Sequence, residues 1–75
     1  MSNEEKIIDL KNFVDDLICN NEYNIELIKG IQVSRADLET LDFYCEELLK
    51  GNRLQGRYIV IAEVKDVLDA YGIAY

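Results

Sequence analysis

The chain has no histidine, no proline and no tryptophan, and only two cysteines and one methionine. Each absence removes a class of chemistry. Without histidine there is no side chain whose ordinary titration lies near neutral pH, so general acid–base catalysis has no natural agent. Without histidine, and with no cysteine pair at ligand spacing, a zinc site is not expected. Two cysteines do not make a disulfide framework, and Cys19 and Cys45 read as reduced thiols of a cytoplasmic protein. Basic residues are also scarce, 8 against 15 acidic ones, for a net charge of −7. No apolar run approaches the ~20 residues of a membrane span, and the opening Met1-Ser2-Asn3-Glu4-Glu5-Lys6 is not the positive flank of a secretory leader.

Seventy-five residues allow one domain with a thin core. The absence of proline and the apolar periodicity predict an all-α fold, a small bundle of three main helices and one short one. The first helix is expected over about residues 3–20. Ile7, Leu10, Phe13, Val14, Leu17 and Ile18 fall on one arc of roughly 140°. Ser2 is placed to cap it, and Glu4 and Glu5 suit the positive end of the helix dipole. Asn20 and Asn21 are its stop.

A helix over 34–50 is the best punctuated. Ser34 and Asp37 have the spacing of a capping box, Leu38, Leu41, Tyr44, Cys45, Leu48 and Leu49 share a face, and Lys50-Gly51 is a C-terminal signal. The third main helix is expected over 57–71. Its first residues, Tyr58-Ile59-Val60-Ile61-Ala62, read locally as a strand. Val60, Ile61, Val64, Val67, Leu68 and Tyr71 nevertheless cluster within about 120° on a helical wheel, opposite Glu63, Lys65, Asp66 and Asp69. The short helix is expected over 24–29, capped by Asn24, ended by Gly30 and followed by an extended connector. The tail from Tyr71 to Tyr75 carries no charge and is expected to dock.

The chemistry-bearing constellations are few. A short helix, a glycine and the helix starting at Ser34 have the order of a helix-turn-helix, with Lys50, Arg53 and Arg57 as the one basic cluster. Residues 34–50 carry a net charge of −3, however, which opposes approach to phosphates. Cys45 lies on an apolar arc and Asp15 and Asp16 stand near Cys19, so neither thiol is an activated nucleophile. The adjacent pairs Asp15-Asp16 and Glu46-Glu47 diverge on a helix and make no shared acid–base site. No glycine-rich phosphate loop, EF-hand loop or Asp-Ser-Leu of a carrier protein is present. No cofactor is expected, and the protein is not expected to be an enzyme.

Some apolar residues break the pattern. Phe43 falls among Glu39, Asp42, Glu46 and Lys50, and Tyr58 and Ile59 fall on a polar arc. An aromatic ring among charges has the anatomy of an interface anchor. The reading is therefore a small acidic inhibitor or adaptor of the phage or antitoxin kind. It would dock an anionic helical face on a basic protein such as a nucleic-acid enzyme or regulator. Phe43 and Tyr58 would be anchors, and Glu39, Asp42, Glu46, Glu47, Asp15 and Asp16 would steer. The alternatives are a symmetric homo-oligomer seamed along Val60, Val64, Val67 and Tyr71, and a nucleic-acid binder using the basic cluster.

Overall fold

The computed structural model describes residues 1–20 and 25–75, and for Ile25 and Glu26 the backbone only. The order of elements is α1 (Asn3–Asn20), β1 (Ile25–Ile28), β2 (Ile31–Ser34), α2 (Arg35–Leu49) and α3 (Ala62–Ala70). The chain is thus mostly helical with a small two-stranded antiparallel sheet, not all-α.

The first two helices begin where local chemistry requires. The Ser2 hydroxyl accepts the Glu5 N–H at 3.2 Å, and the Glu5 carboxylate accepts the Ser2 N–H at 3.3 Å. Ser34 and Asp37 repeat this reciprocal box at the start of α2, at 3.1 and 3.2 Å. At the far end of α2, Gly51 takes φ +89°, and the Gly51 and Asn52 N–H groups close on the Leu48 and Glu47 carbonyls at 3.0 Å each. The same closure ends α3. The Gly72 N–H meets Asp69 at 2.9 Å and the Ile73 N–H meets Leu68 at 3.0 Å, which turns Ile73 into the core.

The expected short helix over 24–29 is a strand instead, and the capping role read for Asn24 lies outside the described residues, as does the Asn21 stop. Ile28 pairs with Ile31 and Leu27 with Gln32. The two-residue turn Lys29-Gly30 has φ of 49° and 82°, the positive values that match the twist of a tight hairpin. Gly30, expected to stop a helix, serves the turn instead. Ile28 and Val33 are buried on the inner face and Leu27 points outward. With residues 25–28 extended, no helix-turn-helix is formed. Ser34 is both the last strand residue and the cap of α2, so the hairpin feeds that helix without a linker.

The third helix starts five residues later than the wheel predicts. A turn through Gly56 closes the Arg57 and Tyr58 N–H groups on the Leu54 carbonyl, and residues 58–61 are neither helix nor strand. Ile61, in extended conformation, precedes Ala62 without a side-chain cap. Three consecutive β-branched residues, Ile59-Val60-Ile61, lower helix propensity at that start.

The core joins Ile7, Leu10 and Val14 of α1 to Ile28 and Val33 of the hairpin. Leu38, Leu41, Tyr44 and Cys45 of α2, Leu54 of the connection after it, Val64, Val67 and Leu68 of α3, and Ile73 of the tail complete it. Phe13 and Leu49, expected inside, are exposed, because α1 and α2 each bury a narrower stripe than the wheel suggests. Val64 and Val67 are wholly buried within the monomer and so offer no seam to a second copy. The tail docks as expected. Asn3 exchanges two hydrogen bonds with Ala74, and the Tyr75 main-chain oxygen accepts the N–H groups of Leu54 and Gln55. Among the described residues no helix is long and apolar enough to cross a membrane.

Replacing Ser34 by Ala removes the cap on which the hairpin–helix junction turns. Urea unfolding should show a loss of about 0.5–2 kcal/mol.

Candidate functional site

The off-pattern aromatics meet on one surface. Phe43 and Tyr44 are neighbours on α2, about 100° apart around its axis, so Phe43 looks out while Tyr44 is buried. The turn at Leu54 brings Tyr58 against both. The Phe43 and Tyr58 rings meet edge to face with centroids 5.6 Å apart, and Tyr44 lies 5.9 Å from Phe43 and 5.4 Å from Tyr58. Rings this close leave no space for a cation between them, so the cluster is a packed platform and not a cage. Phe43 remains 45% exposed.

Glu47 anchors the platform from beneath. It is only 8% exposed, and its carboxylate accepts the Tyr58 hydroxyl at 2.9 Å and a longer contact from Lys50 at 3.5 Å. The Tyr58 bond, opposed by burial and helped by Lys50, holds Glu47 below the ordinary carboxylate range. The same bond, with burial added, raises the Tyr58 phenol. Glu47, read from the sequence as a steering charge, is therefore an internal brace. Tyr44 adds a long hydrogen bond from its hydroxyl to the Ile59 carbonyl, 3.4 Å. Beside these, Ile59 is 92% exposed and Ile61 44%.

The other carboxylates divide into two sets. Lys11 pairs with Asp15 one turn along α1 at 3.2 Å and reaches across to α2, to Asp42 at 2.8 Å and Glu46 at 3.5 Å. Its hydrogen bond to Asp42 outweighs burial and, with Asp15, raises the ammonium above the ordinary amine range. Burial works against ionisation of Asp42, but its contact with Asp15, which takes the proton in preference, and its hydrogen bond from Lys11 prevail, and its carboxyl titrates low. Asp15 is raised, first by the Asp42 contact and then by burial, against the pull of Lys11. Asp15 and Asp42 thus serve the seam between helices. Glu39 and Glu46 are exposed on the flank of Phe43, one turn before it and one turn after. Asp16 is exposed on α1, about 100° around from Asp15 and away from this contact.

Of the eight residues singled out from the sequence, the structure gathers Phe43, Tyr58, Glu39, Glu46 and Glu47 around one surface. It assigns Asp15 and Asp42 to Lys11 and leaves Asp16 apart. Sequence reasoning missed Lys11, and it put Ile61 on the buried arc of the third helix, whereas Ile61 precedes α3 and is exposed. A lone lysine between Ile7 and Val14 on a helix whose neighbour is rich in carboxylates was the available signal for the first, and the β-branched run for the second. Lys50 is spent on Glu47, while Arg53 and Arg57 are exposed. Among the described residues no group of three or more Cys, Asp or Glu side chains could hold a metal ion.

Replacing Lys11 by Met leaves Asp15 and Asp42 facing each other without a cation. The variant should lose about 1–2 kcal/mol at pH 7, an amount between exposed and buried ion pairs. The like-charged pair then titrates high in the folded state, so urea midpoints should show the deficit shrinking as pH falls through the carboxylate range. Burial pushes the Cys45 thiol up to about 12, so at pH 8 a thiol reagent should modify only the exposed Cys19 until the chain unfolds.

Comparison with protein-family models, with curated proteins and with solved structures finds no match to this chain.

Proposed function

We propose that this chain is a small acidic protein-binding module of the cytoplasm, an inhibitor or adaptor that acts by occupancy and not by catalysis. Its docking face is the Phe43–Tyr58 platform with Glu39 and Glu46 beside it, and its target is a basic protein, such as a nucleic-acid enzyme or regulator. The observation that carries the reading is the exposed Phe43 ring, braced by Tyr58 and Tyr44 next to carboxylates that no internal cation fully neutralises.

Each part has a physical reason. A braced ring loses little conformational freedom on binding, so more of its burial appears as affinity. Aromatic anchors contribute a large share of interface energy. The net charge of −7 attracts a basic target over the ~8 Å that screening allows at physiological salt and speeds encounter. Glu47 supports the site from inside, and the acidity engaged by Lys11 holds the helices that present it.

The test is affinity capture with the tagged chain, identification of the bound protein, and measurement of the purified pair across salt concentrations. A basic partner should bind less tightly as salt rises. Phe43→Ala should weaken it by about 2 kcal/mol, roughly thirtyfold, with helical circular dichroism unchanged because the ring is a surface group. Glu39→Lys/Glu46→Lys should slow association. A purified partner indifferent to both variants would falsify the reading.

A further inference from the structure

The segment Tyr58-Ile59-Val60-Ile61 enters neither helix nor sheet, and three features set it apart from an ordinary loop. Its burial alternates. Tyr58 and Val60 are half-buried against the core, while Ile59 and Ile61 are exposed on the other side. That is the period of a strand with one face covered. Its composition is aromatic and β-branched, which favours extended pairing. Its backbone is largely unused. The Tyr58 N–H reaches Leu54, the Ile59 carbonyl takes the Tyr44 hydroxyl, and the Ile61 carbonyl takes the Lys65 N–H at 2.9 Å. The N–H groups of Ile59, Val60 and Ile61, and the carbonyls of Tyr58 and Val60, make no hydrogen bond among the described residues.

We infer that residues 58–61 are a strand waiting for a sheet: they pair edge to edge with an extended segment of the basic partner, whose apolar side chains lie along Ile59 and Ile61. The inference rests on the function proposed above and specifies how the partner is held. Main-chain pairing supplies affinity, and the alternate side chains supply selectivity. Proteins generally blunt such an edge with a charge or a proline, and neither occurs between Tyr58 and Ile61.

The occupant follows from charge. A second copy would bring −7 against −7, whereas a basic segment is drawn to this body as a whole and, with Arg57 confined to the start of the strand, finds Glu39 and Glu46 beside Phe43. The pinning of the segment at both ends, by Tyr58 on Glu47 and by Ile61 at the start of α3, reduces the ordering that pairing demands.

The experiment uses three synthetic peptides titrated onto the intact chain. One alternates arginine and valine, one has the same side chains with alternate backbone nitrogens methylated, and one alternates glutamate and valine. The readouts are dissociation constants and amide hydrogen exchange at Ile59, Val60 and Ile61. The basic peptide should bind and slow exchange at one or more of these amides. Methylation should weaken it at least tenfold, and the acidic peptide should not bind. Val60→Pro removes a donor that is unpaired in the free chain and should weaken the basic peptide similarly, with the methylated peptide providing the same information should that variant fold poorly. Equal binding of the methylated and unmethylated basic peptides, with exchange unchanged, overturns strand pairing. If binding then still depends on Phe43, the proposed function survives without it. Failure of the basic peptide to bind, while a purified basic partner binds through Phe43, likewise overturns the strand alone. Failure of both removes the strand and the function together. A concentration-dependent dimer protected at the same amides would assign the edge to a second copy and overturn the basic occupant.

Discussion

Burial of one stripe of α2 is the constraint on which the other elements depend. Leu38, Leu41 and Cys45 have no exposed surface, and a chain this short has no second core to compensate for losing them. The surrounding elements close on that stripe. α1 brings Ile7, Leu10 and Val14, the hairpin brings Ile28 and Val33, and α3 brings Val64, Val67 and Leu68. Ser34 makes the geometry cooperative because one residue ends β2 and caps α2. The hairpin cannot rotate away without unwinding the first turn of the helix. The tail completes the arrangement, with Ile73 buried and Asn3 holding Ala74.

The charge pattern divides labour in a way that net charge conceals. Lys11 gathers Asp15, Asp42 and Glu46 along the α1–α2 seam, and Lys50 leans on Glu47. Part of the acidity that composition shows in excess is structural. Of the carboxylates left on the surface, Glu39 and Glu46 stand beside the aromatic platform, where, under the proposed function, a carboxylate steers a partner and the apolar ring contacts it. Glu47 links the two roles. By accepting the Tyr58 hydroxyl it fixes the segment that carries Ile59, so a buried group sets the shape of an exposed one. Lys29, 4.9 Å from the centre of the Tyr71 ring, joins the hairpin turn to the end of α3.

Much of the fold was legible where the cause is local. Both long helices, the Ser34–Asp37 box and the glycines closing α2 and α3 follow from groups within a few residues of each other. The hairpin was not legible. Ile25-Glu26-Leu27-Ile28 is too short for its period to separate strand from helix, and Gly30 suits a helix stop as well as a tight turn. The start of α3 was misplaced because no capping residue precedes Ala62 and Val60 packs on the core in either conformation. In the site, Phe43 and Tyr58 were visible because they break a polar arc. The parts played by Glu47, Asp42 and Asp15 were not, because an acidic residue on a helical wheel looks the same whether its partner is water or a lysine on another helix.

By itself, the sequence determined the mostly helical character, the two capped helices, the uncharged docking tail, the lack of imidazole chemistry and the anionic balance. These depend on residue type and on spacings within a turn or two. Only tertiary structure decided that residues 25–34 form a hairpin, that three aromatic rings converge, which carboxylates remain available and that Ile61 is exposed. Those outcomes depend on how α1 and α2 are rotated against each other and where the Leu54 turn lays the chain. Contacts between residues far apart in sequence set both, and no local preference encodes them.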